Sequence, residues 1–134
     1  MTDSYDDLQA SYGRCLRKGH FIERFYTLFM GSHPDIPPLF ANTDFSKQNM
    51  ALRRGISSAI VHAAGSRLAE RTMAGMADVH GSRGRAPVPP ALYPYWVDSL
   101  IAAVAEFDPE YTPQLGQRWR QAMDATTAFF VSRY

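Results

Sequence analysis

The chain has 134 residues, enough for one domain with one substantial core, and a formal net charge of +1 without a basic run. That balance gives neither nucleic acid nor an anionic membrane surface anything to attract. No apolar stretch is long enough to cross a bilayer, and the polar, acidic start lacks the order of a secretory signal, so a soluble cytoplasmic protein with a single domain over residues 1–134 is expected.

Cys15 stands alone, which excludes an intrachain disulfide and a cysteine-built zinc site; its expected role is packing. Eight Phe, seven Tyr, two Trp and six Met are rich for so short a chain and suit one wrapped around something large.

Period-two alternation is missing over any useful length, so the fold class reads as all-α. Ser4 is expected to cap a first helix, with Leu8, Tyr12 and Cys15 or Leu16 at helical spacing, which ends near Lys18 and Gly19. Residues 20–30 place Phe21, Ile22, Phe25, Tyr26, Leu28 and Phe29 on more than one face, which predicts a sandwiched, central helix. Gly31 and Pro34 should stop it, and residues 34–40 allow no more than a short helical turn.

Ser46 is expected to cap the third helix, whose stripe is Gln48, Leu52, Ile56, Ala59 or Ile60, and Ala63, ending near Gly65. Over residues 68–80, Ala69, Met73, Met76 and His80 recur by three and four, so His80 is the polar end of an apolar stripe. Residues 81–90, with two glycines and three prolines, read as a connector that offers Arg83 and Arg85 to solvent. Leu92, Trp96, Leu100, Val104 and Phe107 mark a fifth helix, its buried face widened by Val97 and Ile101. The last begins at Thr112 and Pro113 and runs through Leu115, Trp119, Met123, Thr126 or Thr127 and Phe130.

Neutral imidazole is a good metal ligand, and one histidine beside an apolar slot suits a flat iron cofactor better than a bare ion. His80 is therefore the candidate iron ligand. His62 lies fourteen residues beyond Gln48 on one helix, about 21 Å along its axis at 1.5 Å per residue, so the two cannot face one iron. His20 and His33, near helix ends, read as solvated or capping.

The pattern resembles the globins, specifically the bacterial single-domain globins and the haem domain of flavohaemoglobins. It is carried by Phe25-Tyr26, His33-Pro34-Asp35, Pro38-Leu39-Phe40, Gln48, Leu52, Met76, His80, Val88 and Tyr93-Pro94 in this order and spacing. The resemblance implies a globin fold, a three-over-three helical sandwich around haem b (iron protoporphyrin IX). It further implies Tyr26 over the haem with Phe40 packed on it, Gln48 and Leu52 facing the gas, and Met76, Val88 and Tyr93 beside the proximal ligand His80. Ile101 joins these as an expected haem contact.

The function so implied is binding of O2, with NO and CO as further ligands, at a five-coordinate His-ligated iron. Tyr26 and Gln48 would supply hydrogen-bond donors, slowing O2 release tens-fold to hundreds-fold at about 1 kcal/mol or more per bond. Nitric oxide dioxygenase activity is a further expectation and would need a separate reductase, since the chain has no flavin or nicotinamide domain. The alternative is a gas or redox sensor acting through a partner protein. Oxygen transport and a homodimer are both compatible with the pattern.

Two departures matter. The connector between His80 and Val88 is longer than in flavohaemoglobins, which leaves Tyr93 and Tyr95 competing for the place under the imidazole, with Tyr93 favoured. The glutamate that polarises the proximal histidine there has no counterpart: its position falls on or near Tyr134. A strongly pushed, peroxidase-like iron is not expected. Lys47, Arg53, Arg83 and Arg85 are the candidate propionate partners by their place in the chain.

Overall fold

The helices begin where the chain supplies an acceptor or a reversal, and their apolar stripes decide how they stack. The computed structural model describes residues 3–134, and among them it has six α-helices, two short 3-10 turns and no strand.

Helix α1, Asp6–Lys18, buries Leu8, Tyr12 and Cys15 on one face. Ser4 does not cap it. Tyr5 does the turning, with φ 53, and Asp3 Oδ1 accepts the Tyr5 N–H at 2.9 Å. A long-range tether replaces the local cap: Asp3 and Asp7 both hold Arg118, whose guanidinium lies 4.6 Å over the Tyr5 ring.

Helix α2, Phe21–Ser32, follows at once because Gly19 and His20 both take positive φ and reverse the chain. It runs through Gly31; Pro34 is what ends it, forcing His33 into an extended conformation at φ −159 and ψ 138. After a 3-10 turn at Pro37–Phe40 comes α3, Phe45–Ala63. Its cap is Asp44 and not Ser46. The Asp44 carboxylate takes the Ser46 N–H at 3.0 Å, which places Ser46 inside the first turn.

Helix α4, Arg67–His80, is capped by Ser66 Oγ, and residues 64–66 bring it back onto α3. A 3-10 turn at Pro90–Leu92 leads into α5, Tyr93–Phe107, and α6, Pro113–Ser132, starts at the expected Thr112 cap with Pro113 in the first turn.

Helix α2 lies against α5, and α3 against both α4 and α6. Trp119 of α6 is fully buried, with Tyr12 edge-on at 6.3 Å. Its Nε1–H donates to Ser11 Oγ at 3.0 Å, and that hydroxyl donates to Asp108 Oδ2 at 2.6 Å. Arg14 closes the network with two bonds to the same carboxylate, 2.7 and 2.9 Å. One buried carboxylate thus pins α1 to the corner between α5 and α6. Gly116 is needed nearby, because the Tyr111 hydroxyl sits where a Cβ would be.

Candidate functional site

Two groups of side chains bring polar atoms to this core, Tyr26 being part of it. The first forms where α2 meets the start of α3. Tyr26 is buried, and Gln48 Nε2 donates to its hydroxyl at 3.0 Å. Phe40 and Phe45 meet the Tyr26 ring edge-on at 5.7 and 5.4 Å and stack on each other with an interplanar angle of 27°. Burial pushes the phenol up to about 12, against a partial lowering by Gln48, so Tyr26 keeps its proton at neutral pH. Gln48 already supplies the hydroxyl with a donor, so the Tyr26 proton remains free to be given. No acceptor for it is found among the described residues.

The second group lies at the end of α4. His80 is its last residue, and its Nδ1 lies 3.0 Å from the Ala86 carbonyl. A carbonyl can only accept, so Nδ1 carries the hydrogen, and in the neutral ring Nε2 then keeps its lone pair, the tautomer a metal ligand needs. The ring packed on the imidazole is Phe130 of α6, at 6.1 Å. Tyr93 meets Phe130 edge-on at 5.9 Å, while Tyr95 lies against His33 at 4.9 Å. Of the two tyrosines weighed for the place under His80, Tyr93 is therefore the one on that side, one ring removed.

Helices α3 and α4 touch closely at Gly55, where a Cβ would come within 3.2 Å of Met76 Cε. Gln48 precedes Gly55 by seven residues and His80 follows Met76 by four, about 10 and 6 Å of helix. Both therefore lie beyond this contact, away from residues 64–66. Leu52, Met76, Val88, Ile101 and Phe40 are half-buried apolar side chains at the margin of the core.

Phe45 and Phe130 belong to these groups and were not singled out from the sequence. Phe45 had a signal, standing three residues before Gln48 and so on its face of the helix. Phe130 read only as one more apolar position of the last helix.

His62 packs on Phe129 at 5.0 Å, with Nδ1 buried and without a hydrogen-bond partner among the described residues. His33 Nδ1 accepts the Asp35 N–H at 3.0 Å. Arg53 lines an open groove of about 430 Å³ with Tyr12 and Leu16 of α1. Lys47, Arg83 and Arg85 are exposed.

An imidazole with Nε2 free, a half-exposed apolar margin and a buried phenol with a spare proton suit a flat iron cofactor held by one ligand. Among the described residues no three His, Cys, Asp or Glu side chains gather as a bare ion would require. Nor is any helix long and apolar enough to cross a membrane.

No protein-family model and no curated protein matches the chain. Among solved structures, a Pseudomonas aeruginosa protein described as structurally highly homologous to a human hemoglobin matches with a TM-score of 0.92 and 32% identity, over 98% of each chain.

Proposed function

This chain belongs to the globin superfamily, with the all-α three-over-three sandwich that its sequence resemblance implied, and from that premise we propose that it binds O2 at a haem b held by His80. The globin fold carries the haem in general; the proposal is the ligand, the gas and the residues that serve them.

Bound here, a haem supplies an iron with one position for an imidazole nitrogen and another open to a diatomic gas. His80 offers Nε2, kept available because Nδ1–H is committed to Ala86. Leu52, Met76, Val88, Ile101 and Phe40 would cover the faces of the ring system, exchanging half-exposed apolar surface for contact with it. Tyr26 gives its proton as a hydrogen bond to the gas, in a setting dry enough to strengthen that bond. Gln48 holds the hydroxyl in place.

The observation that carries the O2 reading is the Gln48–Tyr26 bond, because it leaves the phenol proton unspent. Such a donor favours the gas that draws most charge, which is O2 over CO. The same pair would serve nitric oxide dioxygenation, which consumes electrons and so needs a reductant. Stopped-flow displacement of O2 by CO tests the binding: release should be slow, and Gln48→Leu should speed it about ten-fold. Wild-type release as fast as that of the variant would refute the holding of Tyr26 by Gln48. Mixing the oxygenated protein with nitric oxide tests the dioxygenase; failure to oxidise the iron rapidly would remove that activity and leave O2 binding standing.

A further inference from the structure

We propose that residues 81–90 and the end of α6 form a brace that fixes the tautomer and heading of the His80 imidazole, with Gly84 as the positioning residue that lets the brace close. The inference rests on His80 as the haem ligand and adds what holds it. The sequence pattern marked 81–90 only as a connector, yet the segment folds back over the end of α4.

The Ala86 N–H donates to the Val79 carbonyl at 3.1 Å and the Val88 N–H to the His80 carbonyl at 3.0 Å. Two carbonyls that a helix end leaves without partners are thereby filled. Ala86 works in both directions, since its own carbonyl takes the Nδ1–H of His80 at 3.0 Å.

This return path passes so close to α4 that a Cβ at Gly84 would overlap the carbonyls of Asp78 and Val79. Those are backbone atoms and cannot swing aside. Any side chain at position 84 must push the segment off the helix and carry the Ala86 carbonyl away from the imidazole.

The other side of the brace comes from α6. Ser82 N–H and Oγ–H both donate to the Tyr134 carbonyl, at 3.2 and 2.7 Å, and Arg133 pairs with Asp78 at 3.2 Å. The residues two before and two after His80 are thus tied to two neighbours at the end of α6, one turn beyond the Phe130 ring that packs on the imidazole.

Gly84→Ala is the direct test, read in two ways. In the haem-free protein, hydrogen exchange at the Ala86 and Val88 amides should accelerate at least about ten-fold, with α1 and α5 unchanged. In the ferrous haem-loaded protein, the iron–histidine stretching band in resonance Raman should move to lower frequency and broaden, as Nδ1 loses its fixed acceptor. Ser82→Ala with Arg133→Gln, which spares the bonds within 81–90, should move the band the same way by less, and it stands as the test should Gly84→Ala fail to fold.

An unmoved band and unchanged exchange in Gly84→Ala, or an unmoved band in the double variant, would overturn the brace. The ligand reading fails separately, if His80→Ala keeps the wild-type band.

Discussion

Gln48 and Tyr26 stand twenty-two residues apart, on different helices, and meet in a single hydrogen bond of 3.0 Å in which the amide donates and the phenol accepts. The direction of that bond decides what each residue can do. Tyr26→Phe removes the phenol proton that the Gln48 bond leaves free, and O2 dissociation should rise about ten-fold to a hundred-fold, the range of a hydrogen bond with a charged character. CO dissociation should change far less. Flash photolysis and stopped-flow measurements on the two gases check this, and equal effects on both would contradict it.

Asp108 should matter to folding and not to gas binding. Burial would raise its carboxyl, but Arg14 and Ser11 outweigh that and hold it at about 2, against an ordinary value of 3.8. A depressed folded value means the stabilisation is complete above pH 4 or so and is lost as the pH falls toward 2. Asp108→Asn should lower stability by about 2 kcal/mol at neutral pH, since Arg14 is left with Glu110 alone at 3.4 Å and Ser11 loses a charged acceptor. The gap between wild type and variant should narrow through that acid window. Urea denaturation across pH 2–6 measures it.

Gly116→Ala places a methyl where the Tyr111 hydroxyl sits. A loss of about 1–3 kcal/mol is expected from such overpacking, read as a lower denaturation midpoint. Tyr111→Phe in the same background should restore part of it, so the two changes should not add.

The Cys15 thiol is buried, and burial pushes it up to about 12. It should therefore resist aromatic disulfide reagents in the folded protein and react fully once unfolded in denaturant. Rapid labelling of the native protein would show that α1 opens readily.

Most of the architecture was legible in the chain because it is helical, and helical order leaves a local trace. Thr112-Pro113 announced α6, and the Leu8, Tyr12, Cys15 spacing gave the buried face of α1. Two helix starts differ from the expectation, for different reasons. Ser4 caps nothing because the start of α1 is held from a distance, by Arg118 on Asp3 and Asp7, whereas Ser46 yields to a local competitor, Asp44, one place ahead of the helix.

The candidate site divides in the same way. Tyr26 was marked by the globin resemblance alone, while Gln48 and His80 were visible as polar groups on otherwise apolar stripes. The imidazole's partners were not. The Ala86 carbonyl is a backbone atom with no sequence signature, and Phe130 arrives from the far end of the chain. The fold-back of residues 81–90 depends on a close approach at Gly84, which in the sequence is one more glycine in a loop.

Titration of the purified protein with haem, followed in the ferric, ferrous and CO-bound forms beside His80→Ala, tests the central claim most directly. Wild type should take up one haem per chain with an imidazole-ligated Soret band, and His80→Ala should lose that signature and regain it with added imidazole. A His80→Ala spectrum identical to wild type in all three states would contradict the account.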